Sequence, residues 1–361
     1  MTHPILARLH ELGQSIWLDN LTRTMIREGR LKSLVEQGVS GVTSNPAIFR
    51  KAIGSGTDYD ADIRKLSGKS ALEIYEALAV RDIRDACDAL RPAYEASNGT
   101  DGYVSLEVNP HLARDTEGTV REAFRLWNDV GKENLLVKIP GTPEGVPAVR
   151  ECLKGGVNVN ITLLFSLDAH RAVMEAHLEA LEARHARREP MATVASVASF
   201  FLSRIDTMVD AKLGASPALR GLAAVASAKL AYKNWKETYS GERWERLRAA
   251  GARVQKPLWA STSTKDPAYP DLKYVEPLIG PQTINTVPDE TLEALLDHGR
   301  PAPTVEEGAE AAKGDLERLE RAGISIAAVT DALVEEGIAK FIQPFDALLA
   351  EIEEKRRVTA R

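Results

Sequence analysis

Eight short runs of apolar and β-branched residues recur along the chain, and they constrain its fold more than any other feature. Each run has about the length of a strand, and the segments between them carry apolar residues at the helical spacing of three and four. Such alternation predicts βα units and a parallel sheet. The predicted strands are Ser15–Leu18, Gly41–Thr43, Tyr103–Glu107, Leu135–Ile139, Asn158–Thr162, Thr193–Val197, Lys256–Ala260 and Thr283–Asn285.

Eight strands favour a closed (β/α)8 barrel over an open doubly wound sheet. The open sheet would need a glycine-rich loop after its first strand, whereas Asp19-Asn20-Leu21-Thr22 stands there. We therefore expect residues 1–361 to form a single α/β domain, a (β/α)8 TIM barrel with additional N- and C-terminal helices. Residues 304–361 are expected to form a helical tail packed on the barrel.

The tail carries several helix-boundary signals. Thr304-Val305-Glu306-Glu307 has the spacing of a capping box and is predicted to open one helix. Ser325 is predicted to cap the next helix, and Gly337 to end it.

Three histidines, His170, His177 and His185, lie among Arg and Glu residues on a predicted helix. These charged neighbours favour a solvated helix face over a metal site, and no metal or organic cofactor is predicted.

Composition and charge exclude several classes of protein. The 361 residues contain 46 Lys plus Arg against 52 Asp plus Glu, so the basic surplus of a nucleic-acid-binding protein is absent. No charge-free apolar stretch approaches the ~18 residues of a membrane span. The N-terminus shows no signal-peptide pattern, and the two cysteines are widely separated, so a cytoplasmic location is predicted. The sequence leaves the oligomeric state open between a monomer and a homodimer.

Polar residues cluster where the predicted strands end. In a (β/α)8 barrel the active site lies at the C-terminal ends of the strands. Polar groups on the inner face of a barrel are costly unless they are paired or functional. The residues at or just beyond these ends are Asp19, Thr43, Ser44, Asn45, Glu107, Lys138, Asn160, Thr162, Ser199, Arg204, Ser261 and Asn285.

Lys138 is the most informative of these residues, because it stands among apolar residues in Leu135–Ile139. One interpretation is a structural lysine that extends from the strand end to solvent. The functional interpretation is a Schiff-base lysine, since an apolar strand end favours the neutral amine that attacks a carbonyl.

Two other pairs are candidates for chemistry. Asp19 and Glu107 are suited to general acid and base catalysis, or else to a purely structural salt bridge with Lys138. Arg204 and Ser199 are suited to a phosphate, which a guanidinium binds in a bidentate manner. The alternative for Arg204 is an ordinary ion pair with Asp206 or Asp210.

The strand ends carry seven motifs that occur in the same order in one known family. The motifs are Trp17-Leu18-Asp19, Gly41-Val42-Thr43-Ser44-Asn45-Pro46, Ser105-Leu106-Glu107-Val108, Leu136-Val137-Lys138-Ile139-Pro140-Gly141-Thr142, Asn158-Val159-Asn160-Ile161-Thr162-Leu163-Leu164-Phe165-Ser166, Ser199-Phe200-Phe201-Leu202-Ser203-Arg204 and Trp259-Ala260-Ser261. On these motifs, over residues 9–349, the sequence resembles the transaldolases, and the Lys-Ile-Pro-Gly-Thr run resembles their actinobacterial-type branch.

The resemblance implies a transferase of the pentose phosphate pathway that moves a dihydroxyacetone unit between sugar phosphates without a cofactor. It implies that Lys138 forms the Schiff base and that Asp19 removes the proton of the C4 hydroxyl during C3–C4 cleavage. It further implies that Glu107 and Thr162 position the water used in carbinolamine dehydration.

The resemblance also implies a substrate-binding set. Asn45 and Asn160 would hold substrate hydroxyls or the lysine region, and Arg204 with Ser199 would face the phosphate. Thr43, Ser44 and Ser261 complete the set through their places in the motifs.

One departure concerns the phosphate. Many relatives carry an arginine two residues after the serine that corresponds to Ser261, whereas Ser263 stands there in this chain. Lys265 is the candidate replacement, as a point charge with less directional recognition.

Two other functions remain compatible with the same residues. A lysine-dependent (class I) sugar-phosphate aldolase would release the three-carbon unit to water. A non-catalytic phosphosugar-binding protein would use the same fold without chemistry at Lys138.

Overall fold

A computed structural model describes residues 2–54, 56–214 and 217–359. Its strands form one closed barrel in which every neighbouring pair is parallel and β1 pairs with β8. The predicted (β/α)8 barrel is confirmed, and the open sheet is excluded. The strands are β1 Gln14–Leu18, β2 Gly41–Val42, β3 Tyr103–Glu107, β4 Leu135–Pro140, β5 Val159–Leu164, β6 Ser196–Phe201, β7 Lys256–Ala260 and β8 Thr283–Val287.

Helices surround the barrel and extend the chain at both ends. Those before β5 are α1 Pro4–Glu11, α2 Arg23–Arg27, α3 Arg30–Gln37, α4 Pro46–Gly54, α5 Asp60–Lys65, α6 Ala71–Ala96, α7 Thr116–Val130 and α8 Gly145–Lys154. Those after β5 are α9 Leu167–Ala186, α10 Ser203–Leu213, α11 Ala223–Thr238, α12 Gly241–Ala249, α13 Asp289–His298, α14 Ala309–Arg321 and α15 Ile326–Thr359. Among the described residues, no helix combines the length and apolar character that a membrane span requires.

The strands are buried on both faces, as expected for a parallel sheet that encloses a core and is covered by helices. The sixth strand is displaced from its predicted position: it starts at Ser196 rather than Thr193 and runs to Phe201. Thr193 lies in a turn, in which the backbone N–H of Val194 donates to the oxygen of Met191 at 3.2 Å. Ser199 therefore lies within β6 and not after it.

The C-terminal tail differs from its predicted boundaries. The first tail helix begins at Ala309, because the Thr304 hydroxyl donates to the backbone oxygen of Glu276 and does not cap a helix. Ser325 does cap α15, since its hydroxyl accepts from the N–H of Ala328 at 3.3 Å. The prediction that Gly337 ends this helix is wrong, because α15 continues through Gly337 to Thr359.

Gly337 instead allows close packing of α15 on the barrel. A Cβ at this position would lie 2.8 Å from Leu163 Cδ2. Leu163 has a left-handed backbone (φ 60°), in the part of β5 where the register to β6 shifts. This bulge and the missing Cβ bring α15, which also packs against α4, α6 and α10, over the C-terminal end of the barrel.

The predicted solvated histidine face is wrong for two of the three residues. His185 is exposed, whereas His170 and His177 are 0% exposed in the interior face of α9. His177 Nδ1 lies 2.9 Å from the Tyr239 hydroxyl, and the His170 ring packs edge-on against Phe200. The flanking charges that suggested a solvated face lie on the other side of this long helix.

Burial of His170 predicts a loss of stability in mild acid. Burial lowers the pKa of His170 to about 4, whereas the unfolded chain takes up the proton below about 6.5. The unfolded state therefore binds the extra proton between these values, and stability falls as the pH falls through this window. The full effect is on the order of 3 kcal/mol.

We expect His170→Leu to make the dependence of the melting temperature on pH between 6.5 and 4 less steep. A slope should remain, because burial also lowers the pKa of His177 to about 3. The matched control is His185→Leu on the exposed part of α9, which should follow the parent protein. Parallel curves for the parent and the His170 variant would contradict the assignment.

Candidate active site

The C-terminal ends of the strands surround a cavity of about 270 Å³. Eight of the twelve residues predicted for the site line it: Asp19, Thr43, Asn45, Lys138, Ser199, Arg204, Ser261 and Lys265. The other four, Ser44, Glu107, Asn160 and Thr162, lie behind this lining.

Lys138 is held inside the barrel and does not extend to solvent, since it is only 5% exposed. Its Nζ lies 3.4 Å from Glu107 Oε2 and donates to the backbone oxygen of Ser44 at 3.2 Å. The ring of Phe341, on α15, lies over this ammonium group with its centroid at 5.5 Å. Glu107 and Lys138 are adjacent because they pair across β3 and β4. The amine is therefore buried, hydrogen-bonded and directed towards the cavity.

Glu107 is placed to exchange a proton near neutral pH. Burial raises the pKa of its carboxyl to about 7, and the opposing charge of Lys138 limits the rise. A carboxyl with such a pKa is present in both protonation states under physiological conditions, which suits a general acid and base.

Asp19 lies at the end of β1, where one backbone and one side-chain hydrogen bond fix its position. Its N–H donates to the oxygen of Val287 at 2.8 Å, and its Oδ1 accepts from the Thr43 hydroxyl at 2.7 Å. Burial raises the pKa of the carboxyl, while the charge of Lys138 and the hydrogen bond from Thr43 oppose the rise. Asp19 thus faces the cavity with a carboxyl that is more basic than usual.

Polar side chains from β3, β5 and β6 form a connected network beside Lys138. Asn160 donates to the Ser105 hydroxyl at 2.9 Å and accepts from the Ser199 hydroxyl at 2.7 Å. The buried Thr162 hydroxyl has no hydrogen-bond partner within the described part of the chain. The network fixes the orientation of the Asn160 amide, and Thr162 retains a free donor and acceptor.

The side chains of Ser44 and Asn45, which follow β2, already form hydrogen bonds within the protein. Ser44 donates to the backbone oxygen of Ser105 at 2.6 Å, so only its backbone oxygen contacts Lys138. Asn45 Oδ1 accepts from the N–H of Ile48 at 3.0 Å at the start of α4, and the residue still lines the cavity.

A cationic end of the cavity lies near β6 and β7. Arg204 follows β6, and its buried Nη1 has no hydrogen-bond partner among the residues that the structure describes. The two aspartates that could have neutralised it bind elsewhere: Asp206 accepts from Tyr274 at 2.9 Å and Asp210 from the N–H of Gly221 at 2.9 Å. The Arg204 guanidinium is therefore left to face the cavity.

Ser263 stands where many transaldolase-like sequences carry an arginine, two residues after Ser261. Ser263 lines the cavity, and its hydroxyl accepts from the ammonium group of Lys265 at the exposed rim. Lys265 follows β7, which pairs with β6, the strand that precedes Arg204. The described residues include no group of three or more His, Cys, Asp or Glu side chains arranged to hold a metal ion.

Sequence reasoning missed several residues of the lining. Phe341 comes from a distant helix, and no local pattern connects it to the strand ends. Thr286 was missed because β8 extends two residues beyond its predicted end, while Asn285, the predicted end residue, is buried and donates to the Tyr274 backbone at 3.0 Å. The other residues that were not predicted are Phe201, Ala260, Thr262, Ser263, Pro288 and Glu290.

Comparison with known proteins covers nearly the whole chain. The sequence model of the transaldolase/fructose-6-phosphate aldolase family matches residues 16–352. The chain is 51% identical to a transaldolase of Thiobacillus denitrificans over 349 residues, which span 94% of this chain and 97% of that protein. It is 48% identical to a transaldolase of Trichodesmium erythraeum over 368 residues, 97% of both chains. It is 46% identical to a transaldolase of the actinobacterium Thermobifida fusca over 359 residues, 97% of this chain and 98% of that one.

Proposed function

The chain belongs to the transaldolase/fructose-6-phosphate aldolase family, and on this premise we propose that it transfers a dihydroxyacetone unit through a Schiff base on Lys138. The resemblance indicated by the seven motifs is confirmed by the family match. The observation that carries the proposal is the buried Lys138 amine, which contacts Glu107 and opens onto a cavity lined by Arg204, whose Nη1 has no hydrogen-bond partner among the described residues.

The first stage captures the ketose. The neutral amine of Lys138 attacks the C2 carbonyl of fructose 6-phosphate or sedoheptulose 7-phosphate, and the carbinolamine loses water to give an iminium ion. Glu107, with a pKa of about 7, can protonate the leaving hydroxyl, and the free hydroxyl of Thr162 can hold the water. The hydrogen bonds of Asn160 to Ser105 and Ser199 hold its amide next to Lys138, with which it pairs across β4 and β5.

The second stage breaks the C3–C4 bond. The Asp19 carboxylate takes the proton of the C4 hydroxyl, C4 becomes an aldehyde, and the electron pair of the broken bond moves to the iminium to give an enamine. Glyceraldehyde 3-phosphate or erythrose 4-phosphate leaves, and the other aldose phosphate reacts with the enamine while Asp19 returns the proton to the new C4 hydroxyl. Water then adds to the iminium, which releases the product ketose and restores the Lys138 amine. The lysine itself supplies the electrophile, so the proposed reaction uses no cofactor.

Transfer rather than hydrolytic release requires the enamine to be shielded from water. The Phe341 ring over Lys138 and the 5% exposure of that lysine support such shielding. A coupled assay with and without erythrose 4-phosphate tests this: a transaldolase releases glyceraldehyde 3-phosphate from fructose 6-phosphate repeatedly only when the acceptor is present. Equal turnover without the acceptor would instead identify a class I aldolase.

Recognition of the sugar phosphate is assigned to Arg204, with Ser261 and Lys265 from the neighbouring end of β7. Ser199 lines the same cavity but gives its one hydroxyl proton to Asn160 Oδ1, so it has none left to donate to a phosphate oxygen. We expect Arg204→Ala to raise the KM for phosphorylated donors by about ten- to a hundred-fold, since a hydrogen bond to a charged group contributes about 1.5–3 kcal/mol. The KM for unphosphorylated dihydroxyacetone should change little.

The matched control is Lys265→Ala, which removes an exposed point charge and should have a smaller effect than Arg204→Ala. Equal changes for phosphorylated and unphosphorylated donors in the Arg204 variant would contradict the phosphate assignment.

Two further proposals concern the cellular location and the domain organisation of the enzyme. We place it in the cytoplasm, which agrees with the free, buried state of both cysteines, Cys87 and Cys152. We regard residues 1–361 as one functional domain, in which the tail contributes Phe341 to the cavity.

A further inference from the structure

Three oxygen-bearing side chains form a hydrogen-bonded chain along one side of the cavity. The Thr43 hydroxyl donates to Asp19 Oδ1 at 2.7 Å, and its oxygen lies 2.7 Å from the Thr286 hydroxyl. All three residues line the cavity, and Thr286 is 3% exposed. Asp19 is the only member that titrates, and Thr286 is the most distant member from it.

Backbone hydrogen bonds at adjacent strand ends fix this arrangement. The N–H of Thr43 donates to the oxygen of Leu18 at 2.9 Å, while the N–H of Asp19 donates to the oxygen of Val287 at 2.8 Å. The hydroxyl of Thr262 donates to the backbone oxygen of Thr286 at 2.8 Å. The three side chains are therefore held by the β8–β1–β2 register and do not depend on a mobile loop.

When Asp19 is ionised, the number of hydroxyl protons determines which group donates in each of these hydrogen bonds. A carboxylate only accepts hydrogen bonds, so Thr43 gives its single hydroxyl proton to Asp19. The Thr43 oxygen then accepts from Thr286. A donor that itself accepts a hydrogen bond is polarised and becomes a stronger donor, so Thr286 strengthens the contact between Thr43 and Asp19.

We propose that Thr286 is a positioning residue for Asp19: through Thr43 it holds Oδ1 and leaves Oδ2 of the carboxylate for the C4 hydroxyl of the substrate. The inference rests on the proposed function, in which Asp19 accepts that proton. Thr286 does not exchange a proton with the substrate; it orients the group that does and favours its ionised form.

Other charged groups also act on Asp19. They come from four elements around it: Lys138 of β4, Glu107 of β3, Arg204 of α10 and Glu290 at the start of α13. Thr286 is uncharged, so replacing it leaves these charges in place and changes only the hydrogen-bonded chain.

The test compares Thr286→Val, which removes the hydroxyl at nearly constant shape, with Thr286→Ser, which keeps it. Cleavage is followed in a single turnover with fructose 6-phosphate, so that its pH dependence is separated from acceptor steps. We expect Thr286→Val to lower the cleavage rate about five-fold at pH 7, because one hydrogen bond among the three side chains is lost. The concentration that gives half the maximal single-turnover rate should change little.

The acid limb of the pH profile should also move to higher pH in Thr286→Val, since the Asp19 carboxylate loses part of its stabilisation. Borohydride trapping of the Schiff base should be unchanged, and Thr286→Ser should restore both the rate and the profile. The control is Thr330→Val, which removes a buried threonine hydroxyl on α15 that donates to the oxygen of Ala327 at 2.9 Å and should leave cleavage unchanged.

Two results would overturn the inference: a parental rate and pH profile in Thr286→Val, or a serine variant as impaired as the valine variant. If Thr286→Val is insoluble, the comparison of Thr286→Ser with Thr286→Ala gives the same decision. Absence of dihydroxyacetone transfer in the parent protein would refute the proposed function itself, whereas normal transfer in both parent and valine variant would refute only the role of Thr286.

Discussion

Lys138→Arg is expected to abolish transfer, with a loss of at least about four orders of magnitude in kcat/KM. Arginine keeps the positive charge and a similar reach, so it can still pair with Glu107, which lies 3.4 Å from the lysine ammonium. It does not lose its proton at any working pH, and so it cannot attack a ketone to form an iminium ion. A structural lysine would tolerate this replacement, whereas a nucleophile would not.

The measurement combines the transfer assay with borohydride reduction in the presence of fructose 6-phosphate and mass mapping of the peptides. The parent protein should carry the reduced adduct on the peptide that contains Lys138, and the arginine variant should carry none. The matched control is Lys154→Arg, at a lysine that forms a 3.0 Å ion pair with Glu151 and should be replaceable at no cost to activity. An active Lys138→Arg variant, or an adduct on Lys132 or Lys154, would contradict the assignment.

Lys138 and Glu107 show why part of this site could be predicted from the sequence. Charged residues at the ends of short apolar runs are rare, and a barrel brings the ends of its parallel strands to one side. Local pattern and general topology together therefore place Asp19, Glu107 and Lys138 at the same end of the barrel. The same reasoning located seven strands closely but misplaced the sixth, where Thr193 and Val194 belong to a turn despite their β-branched side chains.

The course of the C-terminal helix α15 could not be predicted from local sequence patterns. Gly337 carries a strong local signal for the end of a helix, but tertiary packing against Leu163 requires a residue without a Cβ at this point. The helix continues, and it places Phe341 over Lys138. His170 and His177 were misplaced for a related reason, since neighbouring charges in the sequence do not show which face of a long helix packs inward. Contacts between distant segments decided each of these cases.

Asp19→Asn is expected to lower transfer by about two to four orders of magnitude while leaving Schiff-base formation intact. Asparagine has nearly the same shape and can still accept the hydrogen bond from Thr43, but its amide cannot take the proton of the C4 hydroxyl. Borohydride should therefore trap fructose 6-phosphate on Lys138 in a variant that hardly turns over. Asp168→Asn, at an exposed carboxylate on α9, is the control that should keep full activity.

Stability distinguishes this outcome from a structural role of Asp19. Burial raises the pKa of the carboxyl in spite of Lys138, so the ionised side chain is less stable in the folded protein than in the unfolded chain. This penalty grows as the pH rises above the unfolded pKa, and the neutral asparagine removes it. We expect the melting temperature of Asp19→Asn at pH 7 to equal or exceed that of the parent protein. A variant that keeps most of its turnover, or one that loses turnover together with several degrees of melting temperature, would show that Asp19 serves as a structural partner of Lys138 and not as the base that cleaves the sugar.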